Sequence, residues 1–353
     1  MKIALVVHDL HTHGGHSLYT KILADELSRN HEVAVFANRC ERPADARWQS
    51  QHVRAWRSNA LATVQTFPLG LRSHAKVLAG YDIRHAQGYC GGEPNVVTAH
   101  ICVAAYLNSL RDISARNRAS LRLMAAAEER FYRRYDGHVI AISAKIAHEL
   151  KEFYQLGGPI SLIPHGVNAS RFDSLQREEA RYMVRAELGL NQEQTMALFV
   201  GDLTKAHVHL KALSNAAPRV QFVILSRSTR YRWSMPNVNF LAPTPAIERY
   251  YAAADLFVFP TTYDAFGMVV LEAMASGLPV FSSDCAGAAE LIRSGENGVV
   301  ASLDEWVEVA QAGINDRERL QRIGQLAKQS ASLYDWATVA RRVEQVYNQV
   351  ISA

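Results

Sequence analysis

Short runs of apolar residues alternate along the whole chain with longer stretches in which apolar positions recur at helical spacing. Apolar runs of four to seven residues suit strands buried on both faces, and the 3.6-residue period suits helices covering them. In the first half the strand candidates are 3–7 (IALVV), 32–37 (EVAVFA), 96–99 (VVTA) and 138–143 (HVIAIS). Between the first two, Leu18, Ile22, Leu23 and Leu27 share a helical face, so residues 1–37 read as a βαβ unit. The pattern restarts in the second half, with candidates at 196–201, 220–226, 238–242, 255–260 and 278–283. The Gly/Pro-rich segment 157–172 between the halves reads as a hinge. Alternation of this kind predicts α/β architecture with parallel sheets, and 353 residues exceed what one core usually serves. Two doubly wound domains facing each other across a cleft are expected, with ligands beyond the carboxyl ends of the strands.

Composition changes this picture little: 48% hydrophobic and 20% charged residues are ordinary for a globular protein. The opening MKIALVVHDL is too short an apolar run for a signal peptide or a spanning helix. Cys40, Cys90, Cys102 and Cys285 form no CxxC pair and read as free thiols in a reducing cytoplasm. Charge is more informative. Residues 1–163 carry 20 Lys and Arg against 14 Asp and Glu, whereas residues 164–353 carry 18 against 20. An anionic partner is therefore expected at the first half. Segment 111–134, helix-friendly and holding seven arginines, is either a solvated face or a surface for anionic lipid head groups. Nothing points to nucleic acid.

Candidate chemistry lies in two places. In the second half, FVFPTTYDAFGMVVLEAMASGLPVFSS (257–283) reads as strand, loop with Asp264, helix opened by Gly267, and strand. A helix N-terminus entered through glycine offers free amides and a positive dipole end to an anion. Asp264 and Glu272 are eight residues apart, roughly 12 Å if both were helical. That is too far for a nucleophile–acid pair flanking one glycosidic bond, so they are assigned to two parts of one long ligand. In the first half, His8, His11, His13 and His16 surround Gly14 and Gly15. No carboxylate or cysteine cluster completes a metal shell around them, so a polar loop is favoured over a metal site, with an incidental surface loop as the third reading.

The pattern DAFGMVVLEAMASGLPV resembles the signature of retaining nucleotide-sugar glycosyltransferases of the GT-B fold, glycosyltransferase family 4. The resemblance extends over VVTAH ending at His100, HVIAIS, IPHGVNASRF (163–172), VGDLTK (200–205), GENGVV (295–300) and the helix-like YDWATVARRVEQVY (334–347). It implies an acceptor-side Rossmann-like domain over 1–163, a nucleotide-sugar domain over 164–335, and a closing helix over 336–353 that crosses back to the first domain. It further implies that Glu272 accepts hydrogen bonds from the nucleotide ribose. Asp264 would hold donor-sugar hydroxyls beside the amides of Phe266, Gly267 and Met268. The amides of Met268 and Val269 would receive the diphosphate, with Lys205 neutralising it and Gly14 and Gly15 allowing close approach. His100 would face the reacting sugar.

Two departures stand out. Asp264 replaces the usual Glu, and Asp202 replaces the Arg expected after Gly201, leaving Arg227 or Arg230 as candidate compensating charges. The expected activity is retaining sugar transfer from a nucleotide diphosphate donor, UDP favoured over GDP, to a glycan or lipid-linked hydroxyl acceptor in bacterial envelope assembly. No metal or further cofactor is expected, and the location is cytoplasmic, peripheral at the inner membrane face. Alternatives are a sugar-nucleotide-binding pseudoenzyme, or an epimerase of the same fold. This short chain lacks the cofactor lysine and bulk that a phosphorylase needs, and no GxGxxG follows its first strand as an NAD-dependent oxidoreductase would require.

Overall fold

The computed structural model describes residues 1–11, 15–172 and 177–353. The chain forms two compact units, Met1–His165 with Trp336–Ala353, and Gly166–Asp335. Gly14 and His13 lie outside the described residues.

The first unit is built on seven parallel strands: β1 Lys2–Val6, β2 Glu32–Ala37, β3 Gln49–His52, β4 Ile83–Gln87, β5 Val96–Ala99, β6 His138–Ala141 and β7 Ile160–Leu162. Their order is β3-β2-β1-β4-β5-β6-β7. Leu5 is paired with Val35 on one side and His85 on the other. Sequential neighbours therefore run outward in opposite directions from β1, and the gap at the carboxyl ends of β1 and β4 is the place where such sheets bind ligands.

Helix α1 spans Gly15–Leu27 and buries Tyr19, Thr20, Leu23, Ala24 and Leu27. Leu18 and Ile22 are only half-buried, so the buried face is rotated from the predicted one. Tyr19 takes the buried position instead, its ring packed against His100, His165 and Trp336. Helix α2 is Ala60–Arg72, α3 is Val103–Ser109 and α4 is Ala115–Tyr132, the last capped by Ser114, whose side chain accepts from Asn117 N.

The C-terminal helix, Trp336–Ser352, belongs to the first unit and packs on α1. Val339, Val343, Val346 and Tyr347 form its buried stripe. Two side-chain pairs fix its register. His31 Nε2 meets Glu344 at 2.7 Å, and the Tyr347 hydroxyl meets buried His85 Nδ1 at 2.6 Å. His85 Nε2 is engaged by the Thr98 hydroxyl at 2.7 Å. A histidine in the centre of a parallel sheet is thus satisfied at both nitrogens, as burial requires.

The second unit has six parallel strands: β8 Met196–Val200, β9 Gln221–Leu225, β10 Val238–Leu241, β11 Leu256–Phe259, β12 Val280–Ser283 and β13 Val299–Ala301. The order β10-β9-β8-β11-β12-β13 again reverses at one point, between β8 and β11. Helix α5 (His207–Ala216) follows β8, and α6 (Met268–Ala275) follows β11. Val270, Ala273 and Met274 of α6 are fully buried. The helix stops at Gly277 (φ +73), whose amide donates to Met274 O while Leu278 N donates to Ala273 O. Helix Arg177–Glu187 is anchored by Arg185, fully buried, which donates to the carbonyls of Ala253 and Gln194 and pairs with Asp255 at the foot of β11.

Among the described residues no helix is long and apolar enough to cross a membrane, and all four cysteines are free. Tyr347→Phe leaves buried His85 with one partner fewer, and a loss of about 1–2 kcal/mol in unfolding free energy is expected. Urea unfolding checks this; a variant as stable as the parent shows that the hydroxyl does not hold the closing helix.

Candidate functional site

Each sheet carries a group of polar residues at the strand ends flanking its switch point. In the second unit, β8 ends at Gly201 (φ +154), where a Cβ would lie 3.3 Å from Phe199. Asp202 then caps the short turn Leu203–Lys205: its Oδ1 accepts from Thr204 N at 3.0 Å and from the Thr204 hydroxyl at 2.8 Å. The carboxylate at the unexpected position therefore has a local structural task, made at the surface. The turn is tied to two neighbouring strands. Leu203 N donates to Ser226 Oγ beyond β9 at 3.2 Å, and the Lys205 carbonyl accepts from Thr262 N beyond β11 at 2.9 Å.

Asp264 stands two residues after Thr262, in a loop rather than in α6. Its amide donates to Cys285 O at 3.1 Å, its carbonyl accepts from Gly287 N at 3.0 Å, and its Oδ1 accepts from Phe266 N at 3.2 Å. Phe266 is buried, and its carbonyl accepts from Ala288 N at 2.6 Å. Gly267 (φ +92, ψ +64) turns the chain into α6, and a Cβ there would press on Phe259 at 3.1 Å. Both conditions demand glycine. Among the described residues the amides of Met268 and Val269 donate to no acceptor of the chain, as expected of a first helical turn, and both residues are half-buried.

One turn further on, half-buried Glu272 accepts from the Tyr251 hydroxyl at 3.0 Å through Oε2. Burial raises its carboxyl above the usual range, while the Tyr251 hydrogen bond and the charge of Arg171 oppose the shift. Tyr251 is itself seated by an edge-on contact with Phe172 at 5.5 Å. Of the two candidate compensating cations, Arg230 lies over the ring of Tyr231 at 4.6 Å, and that ring stacks on His207 at 4.1 Å, the first residue of α5. Arg227 is exposed at the end of β9.

The first unit gathers His8 after β1, Gln87 at the end of β4 and His100 after β5 around a cavity of about 610 Å³, which Asp9, His11, His16, Arg57 and Glu128 also line. His100 Nε2 donates to Gln87 Oε1 at 2.9 Å, and His165 Nε2 approaches His100 Nδ1 at 3.3 Å. The Tyr19 ring lies edge-on to His100 at 4.9 Å and 5.0 Å from that of His165. Burial holds the His100 imidazole well below its usual range, and the neighbouring His165, His16 and His85 reinforce this. Burial likewise brings His8 down to about 4 and His165 to about 3. His8 and His100 on the cavity wall, and His165 behind them, are thus neutral at ordinary pH.

Two buried polar atoms on that wall, Gln87 Nε2 and His8 Nε2, have no partner among the described residues. Buried groups of this kind call for a ligand or water. Glu128, missed as a site residue, accepts from Val103 N at 3.0 Å and from the Tyr154 hydroxyl at 2.7 Å. Burial pushes its carboxyl up to about 7. Gly15 is the exposed first residue of α1. Among the described residues no group of three His, Cys, Asp or Glu is arranged to hold a metal ion.

A family model described as "Glycosyltransferase Family 4" matches residues 13–171, and one described as "Glycosyl transferases group 1" matches 194–315. The chain belongs with the family-4-like glycosyltransferases. A D-inositol 3-phosphate glycosyltransferase of Nocardia farcinica is 27% identical over 321 residues, 80% of this chain and 69% of the relative. The fold is GT-B. The lipopolysaccharide glycosyltransferase WaaG superposes with a TM-score of 0.80 at 19% identity, covering 98% of this chain and 99% of that one. Anabaena HepE, solved in complex with UDP-glucose, superposes with a TM-score of 0.72 at 19% identity, over 99% of this chain and 100% of its own.

Two outcomes follow from this glycosyltransferase's geometry. Gly267→Ala combines a positive φ with a contact on Phe259, and about 1–2 kcal/mol of stability should be lost; calorimetric unfolding would show no change if the turn can relax. The second concerns pH. His85 and His165, both depressed to about 3, are buried neutral, so below the unfolded-state value near 6.5 the unfolded chain binds more protons. Stability should be flat above pH 7 and fall by up to about 2 kcal/mol per histidine between pH 6.5 and 5. Urea midpoints that stay level across that window would contradict the assignment.

Proposed function

We propose that this glycosyltransferase retains anomeric configuration, takes its sugar from a nucleotide diphosphate, with UDP the favoured nucleotide, and passes it to a hydroxyl acceptor. The observation that carries the reading is the convergence, at one switch point, of the Lys205 turn, the open amides of Met268 and Val269, and a half-buried carboxylate at Glu272. Amides and a lysine suit a diphosphate, and a carboxylate with one oxygen committed to Tyr251 suits a pair of ribose hydroxyls. HepE, whose fold this chain shares, was solved with UDP-glucose, which supports the choice of nucleotide.

In the proposed reaction the bond from the anomeric carbon to the diphosphate breaks first, and negative charge gathers on the departing phosphate. In this reading Lys205 and the helix amides stabilise that charge, usually the largest single contribution in chemistry of this type. Asp264, locked in its loop, holds donor-sugar hydroxyls with the amides of Phe266, Gly267 and Met268. The acceptor oxygen attacks the same face through an oxocarbenium-like state, and its proton passes to the departing diphosphate. No protein nucleophile or metal is required. His100, kept neutral, adds no charge beside the sugar and holds Gln87 through its Oε1, so that Gln87 Nε2 supplies a donor to the acceptor. Arg230 and Arg227 stand in for the arginine that Asp202 replaces.

The acceptor is a glycan or lipid-linked hydroxyl of envelope assembly, reached at an anionic membrane face through α4, where Arg116 and Arg122 are exposed beside exposed Leu123. Changing Arg116, Arg118 and Arg122 to Glu should abolish sedimentation with anionic vesicles; vesicle binding that survives would reject the membrane contact.

Thermal unfolding with UDP, GDP, ADP and dTDP sugars tests the donor site, because a ligand specific for the folded chain must stabilise it. One nucleotide should raise the unfolding temperature, and Glu272→Ala should weaken its binding about tenfold or more. No shift with any of them would reject the donor reading. Binding without release of nucleotide diphosphate in the presence of acceptor extracts would favour the pseudoenzyme, and interconversion of the free sugar nucleotide the epimerase.

A further inference from the structure

A second cavity in the first unit, of about 790 Å³, is lined by Tyr89, which also lines the first. Its walls come from the end of α2, the loop after β4 and the last turn of α4, and four arginines reach it: Arg72, Arg84, Arg130 and Arg134. Only Glu93 and Asp136 oppose them. Arg84 is partly committed, its Nε donating to the Glu93 carbonyl at 2.9 Å. Arg72, Arg130 and Arg134 make no ion pair and no side-chain hydrogen bond among the described residues. The adjacent acid on α4, Glu129, is already paired with Arg133 at 3.0 Å. The C-terminal ends of α2 and α4 favour cations but supply no fixed counter-ion to three of them.

The frame around these guanidiniums is firm. Gly91 (φ +72) and Gly92 (φ +73) press the loop onto α2 so closely that a Cβ at Gly91 would come within 2.4 Å of Pro68. On the other wall, Phe131 lies 5.4 Å from the Tyr89 ring and stacks on Tyr135 at 5.1 Å. Unpaired guanidinium forks facing one space match the oxygens of a phosphate better than a single carboxylate. The aromatic wall offers a face to a sugar ring or an apolar chain.

We propose that this arginine-lined cavity is a subsite for the phosphate or diphosphate group of the acceptor, whose reacting hydroxyl lies in the neighbouring cavity beside His100. The proposal rests on the reading above that the first unit receives the acceptor. It narrows that acceptor to a phosphorylated glycan or a lipid-linked sugar phosphate.

The test uses the intact protein at low salt, saturated with UDP so that the donor site is filled, and titrated with inorganic pyrophosphate in a calorimeter. One additional site is expected. It should weaken about tenfold or more in the combined variant Arg72→Gln, Arg130→Gln, Arg134→Gln and persist in Lys205→Ala. All three arginines are exposed, so the variant should keep the parental unfolding temperature, and Arg72→Gln and Arg130→Gln alone serve if it does not.

Pyrophosphate that fails to bind, or binds the variant equally, overturns the subsite while UDP binding leaves the donor reading standing. If UDP itself does not bind, the donor reading fails, and the same titration without UDP still decides the subsite. Phosphatidylcholine vesicles containing phosphatidylglycerol separate the sources of phosphate. Arginine-dependent binding of both pyrophosphate and vesicles supports a subsite that meets its phosphate at a membrane, and pyrophosphate alone supports one that meets it in solution. Arginine-dependent vesicle binding without a pyrophosphate site overturns the proposal in favour of a lipid contact.

Discussion

The backbone hydrogen bond from Thr262 N to the Lys205 carbonyl, 2.9 Å long, joins the loops that leave the two strands flanking the switch point of the second sheet. Most of what is proposed for the donor depends on it. It sets the Lys205 turn beside the loop whose next residues are Asp264, Phe266 and Gly267. That loop is clamped from its other side by the backbone of Cys285, Gly287 and Ala288. With both sides held by main-chain bonds, the open amides of α6 are fixed in direction before any ligand arrives. Preorganised dipoles of this kind need no reorganisation when charge develops, which is where their catalytic value lies.

The two halves of the molecule handle polarity differently. At the switch point of the second unit, cationic and anionic groups remain near the surface: Asp202 caps its turn, Lys205 follows, and Glu272 is only half-buried. In the first unit, burial strips charge from the histidines around the cavity, which Asp9 and Arg57 also line. His8, His100 and His165 are neutral, and Glu128 lies near its own midpoint at neutral pH. Neutral imidazoles suit hydroxyl-rich ligands, since they offer donors and acceptors without the desolvation cost of full charges. Three arginines unpaired among the described residues, Arg72, Arg130 and Arg134, are gathered instead beyond Tyr89.

Much of this was legible in the sequence, and the exceptions have physical causes. The continuous apolar runs IALVV, EVAVFA, VVTA and MALFV stand where the pattern put them, as does the alternation of strands and helices, and the fold is the GT-B fold that the family resemblance implied. The strand Ile83–Gln87 was not read, because Arg84, His85 and Gln87 break its apolar pattern. His85 is tolerable there only because Tyr347, 262 residues away, reaches it. Gln49–His52 is an entirely polar edge strand, largely exposed and so without an apolar signature. Around Glu272 the missing element was its partner Tyr251, and around Gly267 the Phe259 ring beneath it; both are tertiary relations that spacing cannot encode. Asp202, a puzzle as a charge, becomes intelligible as a cap once the turn is seen.

The central claim is that the switch-point loops of the second unit grip a nucleotide diphosphate. The most direct measurement is a crystal structure of the protein with UDP. The account predicts ribose hydroxyls on Glu272, with the diphosphate received by the amides of Met268 and Val269 and by the Lys205 ammonium. UDP bound elsewhere, or held with its phosphates turned away from α6, would contradict it.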